Sequence, residues 1–209
     1  MLSKPFAAAT LYKISQRFGV NPQWYQPDGH PGVDWTDDYG TPLLAGEDSL
    51  VVGITTPGVI TDDPEYMRRG FGISLRGDSG LECLYWHCLP IFPVNVGDNV
   101  RRGQIVAYMG NSGFVTVAGG IIPVEYRSLP PYRGTHVHQE VVKDGKRVDP
   151  LNEIDMLLPI EQRPQDFLIK AQVMILKIDH LLKEYIYKKY ESIKKEETHA
   201  SIKITRKYD

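Results

Sequence analysis

The chain has 209 residues, of which 42% are hydrophobic and 24% charged, with a formal net charge of −2. That length suits one ordinary domain with an appendage, or two small ones, and the balance is that of a globular protein. The near-neutral charge argues against nucleic acid as an obligatory partner, because phosphate binding wants a basic surface. Nothing near Met1 reads as a secretory leader: three alanines follow Phe6 and no long apolar run.

Taken in order, the first segment with strand character runs from about residue 10 to 18. A turn-rich stretch follows, with Asn21-Pro22 and then Pro27-Asp28-Gly29-His30-Pro31-Gly32. Short strands are expected at Val33-Asp34-Trp35, at 42–45, at 50–54, at 72–76 and at 81–87. Two more, at 94–100 and 104–109, flank another turn. Many short strands punctuated by Gly and Pro, with no helical periodicity before residue 150, predict a mostly β domain, an antiparallel sandwich or barrel-sandwich. The segment between Gly113 and Thr135 is too long for a tight turn and reads as a wall or lid of a cleft.

After Asp149-Pro150 the texture changes. Phe167, Ala171, Met174, Ile178, Leu181 and Tyr185 recur at alternating steps of four and three, a heptad-like stripe on one long C-terminal helix from about 163 to 196. Lys170, Lys177, Asp179 and Lys183 interrupt the stripe, so it does not span a membrane. The division expected is a β domain over 1–158 and a helical extension over 159–209. That extension would pack on its own domain or pair with a second copy of the chain as a homodimer.

Cys83 and Cys88 stand five apart, which puts them on opposite faces of a strand and disfavours a disulfide. Without Cys-x-x-Cys spacing they make no zinc site either, and they read as packing residues. By the same two-residue period Cys83, Tyr85 and His87 are expected on one face of their strand. The histidines are more informative. In Thr135-His136-Val137-His138-Gln139-Glu140-Val141 the apolar and polar positions alternate, so His136 and His138 leave an extended strand by one face. No Lys or Arg lies between them, which suits neutral imidazole ligands. Upstream, His30 and Asp34 sit four apart with Gly32 between them to let the backbone turn. A loop histidine, a carboxylate at the start of a strand and a histidine from a distant strand make a His₂-carboxylate set for Zn²⁺. Three protein ligands with one position open is the catalytic pattern, and the metal would acidify a water held there.

These motifs, taken together, resemble the lysostaphin-type zinc metallopeptidases, which cut peptide bonds in bacterial peptidoglycan. His30-Pro31-Gly32-Val33-Asp34-Trp35 with Gly40-Thr41-Pro42 is similar to the family's first motif, and Tyr85-Trp86-His87 to its single-histidine strand. Val96-Gly97-Asp98-Asn99-Val100 with Gly110-Asn111-Ser112-Gly113 fits the turns that come after it. The His136–His138 strand and the hairpin Gly145-Lys146-Arg147-Val148-Asp149-Pro150 complete the series, in register from about residue 10 to 155. The resemblance implies that His30, Asp34 and His138 bind zinc and that His87 and His136 are the catalytic pair. One of these two would orient or deprotonate water and the other would stabilise the oxyanion. It also implies a substrate in peptidoglycan stem or cross-bridge peptides, and action at the bacterial cell wall.

The chain departs from the family pattern at Gln139, where an aromatic is common, in the long 113–135 segment, and in the C-terminal helix. A strand beginning by about residue 10 leaves no inhibitory segment before it. Two rival readings are weaker. A wall-binding or hydrolase-activating member without catalysis would be expected to have lost ligands, and none is lost. A biotinyl- or lipoyl-carrier hairpin at 96–104 lacks the lysine turn that carries the cofactor.

Overall fold

The computed structural model describes residues 1–6, 12–23, 28–55, 69–117, 120–122 and 131–155, with Lys189. The chain divides into two compact units, Met1–Asp166 and Phe167–Asp209. The long helix expected over 163–196, and with it the pairing surface for a second copy, lie outside the described residues. The first unit holds His30, Asp34, His87, His136 and His138.

Among the described residues the architecture is mostly β and, but for one pair, antiparallel. The elements in chain order are β1 (Leu2–Ser3), β2 (Lys13–Gln16), β3 (Val33–Thr36), β4 (Pro42–Leu44), β5 (Ser49–Thr55), β6 (Phe71–Gly77) and β7 (Glu82–Cys88). Then come β8 (Asn99–Val100), β9 (Ile105–Tyr108), β10 (Thr116–Val117), β11 (Gly120–Ile121), β12 (Val137–Lys143) and β13 (Lys146–Val148). One turn of helix, α1 (Pro150–Glu153), and β14 (Ile154–Asp155) come last. Asp149 caps α1, its carboxylate accepting from the Leu151 amide, with Pro150 in the first turn.

The main sheet runs β2-β3-β12-β7-β6-β5-β8, with β13 paired to β12. A two-stranded ribbon, β4 with β9, supplies Leu43, Val106 and Ala107 to the buried core. The sheet supplies Val33, Trp35, Ile73, Leu75, Cys83, Tyr85, Val137 and Val141 to the same core. Tyr85 ties the two layers, its buried hydroxyl donating to the Leu44 carbonyl at 2.8 Å.

Three expectations need correction. The segment 94–100 is a strand only at Asn99–Val100. Before it the Asp98 carboxylate accepts from the Asn95 amide at 2.8 Å and leaves Val96 59% exposed, so a turn wins over the alternation of valines. The second correction concerns the cysteines: both are free thiols, as expected, but they do not face opposite ways, since both belong to the buried core. The third has the same origin. Cys83 and Tyr85 do not share the site face with His87; they lie in the core, while the His87 ring turns the other way. His87 has φ +61°, and that left-handed residue breaks the strand's alternation just before Cys88. Burial pushes both thiols up, Cys83 to about 11.

Candidate metal centre

Strand register brings the centre together. β12 lies between β3 and β7, pairing His138 with Asp34 on one side and with Trp86 on the other. The His30 loop is pinned by paired backbone bonds, His30 N–H to Val20 O at 2.8 Å and Gly19 N–H to His30 O at 2.9 Å. It also passes close to β12. A Cβ added to Gly32 would overlap the Gln139 carbonyl oxygen, so only glycine permits that approach.

His30, Asp34 and His138 converge, all buried, with one donor atom from each within 4.8 Å of the others. Asp34 Oδ1 lies 3.2 Å from His30 Nε2 and 2.7 Å from His138 Nδ1. Ligands about 2.0–2.1 Å from a tetrahedral ion stand about 3.3 Å apart, close to this spacing. The outer ring atoms are also committed. His30 Nδ1–H donates to the Arg17 carbonyl at 3.2 Å, and His138 Nε2–H donates to Glu140 Oε1 at 3.3 Å. With each outer N–H tied down in this way, the inner nitrogen, which meets Asp34, is the one that can exchange its proton for a cation. Burial alone would raise the Asp34 carboxyl, but hydrogen bonds from His138 and His30 hold it well below the usual range. Burial alone would lower His138, but its bonds to Asp34 and Glu140 raise it to about 9. The pocket is thus built for positive charge, and the three residues fit a divalent metal.

His87 and His136 stand beside this cluster. Their ring centroids are 4.5 Å apart, and His87 lies 6.2 Å from His138. His87 Nδ1–H donates to the Ser112 carbonyl and His136 Nδ1–H to the Gly134 carbonyl, both at 2.7 Å. Both rings therefore present an Nε2 lone pair inward, and His136 Nε2 is 4.0 Å from Asp34 Oδ2. Burial pushes the pKa of each below the ordinary histidine value, and for His87 the neighbouring His136 and His138 add to the shift. Two neutral proton acceptors thus face the cation pocket.

All five residues singled out in the sequence meet here. Others do too. Glu140, 1% exposed, sits behind His138 and also accepts from Arg147 Nε at 2.5 Å; its place two residues beyond His138 on one strand face was the available signal. Gln139 faces the core instead, its Oε1 accepting from Trp35 Nε1 at 2.9 Å and its Nε2 donating to Cys83 Sγ at 3.3 Å. Where an aromatic would fill space, this amide links three strands behind the site. The 113–135 segment carries the β10–β11 pair, and around it Val115 and Ile122 are buried and joined by a backbone bond. Both crowd Gly134, whose carbonyl holds His136.

Comparisons with known proteins agree with this geometry. Residues 28–150 match the family model described as Peptidase family M23. The chain is 28% identical over 155 residues to DD-carboxypeptidase/endopeptidase Mpg of Neisseria meningitidis serogroup B, covering 73% of this chain and 29% of that protein. It is 32% identical over 107 residues to glycyl-glycine endopeptidase ALE-1 of Staphylococcus capitis, covering 50% and 27%. The match thus spans under a third of each relative's length. Among solved structures, a zinc containing peptidase from Vibrio cholerae shares the fold, with TM-score 0.50, 21% identity, and 71% of this chain and 39% of that one covered. Because the family match takes in more than half of the 209 residues, and both histidine motifs lie within it, the chain belongs to the metallopeptidases of family M23.

Proposed function

We propose that this chain is a zinc-dependent endopeptidase of bacterial peptidoglycan, acting on stem or cross-bridge peptides at the cell wall. Its catalytic unit would be residues 1–158, with 159–209 as an extension. One observation carries the reading: a His₂-carboxylate cluster lies against two further histidines, His87 buried and His136 half-buried, whose outer nitrogens are both tied to backbone carbonyls. Two imidazoles and one carboxylate suit zinc, whereas calcium and magnesium prefer all-oxygen sets. His30, Asp34 and His138 would hold the ion, which when bound supplies Lewis acidity toward water and a peptide carbonyl.

The remaining work falls to the side chains. His87 and His136 each offer an Nε2 that can take a proton, and each is fixed so that this atom cannot turn away. The histidine that accepts the proton then presents an N–H to developing negative charge or to the leaving amine. Burial keeps both neutral at rest, so the first proton to arrive comes from the reaction. The names of two relatives, one a DD-carboxypeptidase/endopeptidase and the other a glycyl-glycine endopeptidase, support a substrate among wall peptides.

The test is release of soluble fragments from purified peptidoglycan, analysed by mass, with and without chelator and zinc add-back. Chelator-sensitive release with new amino termini is expected, and the masses name the bond. Intact walls of several chemotypes, left by protein that still carries one zinc per chain, would refute the endopeptidase assignment.

A further inference from the structure

Glu140 has no place in the ligand set, yet it is among the most buried charged residues described. Its two oxygens are held by different donors. Oε1 accepts from His138 Nε2 at 3.3 Å, and Oε2 accepts from Arg147 Nε at 2.5 Å, with Arg69 Nη2 3.8 Å from Oε1. The strands set this arrangement. Glu140 lies two residues beyond His138 on β12, and Arg147 pairs with Val142 on β13, so its side chain reaches Glu140 diagonally on the same face.

To bind a metal His138 must give up one of its two ring protons, and two carboxylates then compete for the one that remains. Asp34 Oδ1 stands 2.7 Å from His138 Nδ1, so Asp34 alone would draw the proton to the nitrogen that faces the cation pocket. In that tautomer Nδ1 has no lone pair for a metal. Glu140 offers the proton a second home on Nε2.

We propose that Glu140 is a positioning residue for the metal centre: it keeps the His138 proton on Nε2 and so leaves Nδ1 open to the ion. Arg147 completes the device. By holding Oε2 it stops the carboxylate from swinging inward as a ligand itself. The inference rests on the reading of His30, Asp34 and His138 as a metal site.

Zinc affinity, measured by competition with a chromophoric chelator, tests it in wild type, Glu140→Gln and Glu140→Leu, alongside melting of the metal-free proteins. Glu140→Leu should bind zinc about 10–100-fold more weakly, the usual cost of losing such a partner. Glu140→Gln keeps an acceptor oxygen and should recover part of that loss. A packing role would instead lower the metal-free melting temperature of Glu140→Leu and leave its zinc affinity within about twofold of wild type. Affinity within about twofold of wild type in both variants, well inside that usual cost, overturns the proposal. Should the variants not fold, long-range proton–nitrogen spectra of cadmium-loaded wild type decide the matter. The expected pattern for His138 is Nε2–H with cadmium coupled to Nδ1, and the reverse tautomer refutes the role of Glu140. Wild-type protein that takes up neither metal would instead sink the metal-site reading, and this inference with it.

Discussion

His87 occupies a backbone region that costs a residue bearing a Cβ about 1–3 kcal/mol, at φ +61°. The surroundings hold it there. The Ser112 carbonyl accepts from its Nδ1, and Ser112 Oγ in turn donates to the Cys88 carbonyl at 2.8 Å while accepting from the Phe71 amide at 2.9 Å. Asparagine tolerates left-handed backbone better than most residues. His87→Asn should therefore fold and keep its metal while losing about 10²–10⁴-fold in turnover, the range of a general acid–base group. Turnover with metal stoichiometry checks this; an active His87→Asn enzyme would end the role given to that side chain. At this scale the sequence was legible where strand periodicity held. His136 and His138 follow the two-residue repeat, and so does Glu140, which lay in plain view but outside any ligand pattern. The direction of His87 was not legible, because a positive φ depends on the carbonyls and amides around it, and these come from distant segments.

Elements, rather than single residues, set how tightly the centre closes. The His30–Asp34 turn leans on β12 so closely that Gly32 meets the Gln139 carbonyl, with the His138 ring as its next neighbour, its Cε1 2.9 Å from where a Cβ would stand. Gly32→Ala must push the turn off the strand. The expected result is a loss of about 1–3 kcal/mol, typical of overpacking, together with weaker zinc binding, because His30 and Asp34 move together. Thermal melting and a zinc titration check both parts; a normal melt with normal affinity would show that the close approach is dispensable. The sequence pointed to this glycine as a hinge for a sharp turn. The structure gives it a different reason, contact with the backbone of a strand far along the chain. The two-residue strands β1, β10, β11 and β14 were not foreseen, since two residues carry no periodicity and their pairing is decided by tertiary packing.

For the molecule as a whole, the site's ionisable groups pull stability in opposite directions with pH when metal is absent. His138 is raised from 6.5 to about 9, so the folded state holds a proton that the unfolded chain releases. Its contribution is complete below pH 6.5 and is lost as the pH climbs through about 9. His87 and His136 are lowered from 6.5, so their neutral forms favour the fold above that pH, and acid reverses this. Glu140, held at about 2 against an ordinary 4.5, adds a further loss between those values. Metal-free protein should thus melt highest near about pH 6.5 and lower on both sides, by calorimetry across about pH 3–9; a melting temperature still rising through the alkaline half of that range would contradict it. At the same scale, Leu2 pairs with Ile154 and Ser3 with Asp155 in the one parallel ladder of the described residues. Residues 2–3 and 154–155, which bracket the described sheets in sequence, thus lie side by side. A unit wired this way can be spliced into longer proteins, or rearranged by joining those two points, without stretching its fold. Such portability suits a family whose members named above carry this region as less than a third of their length.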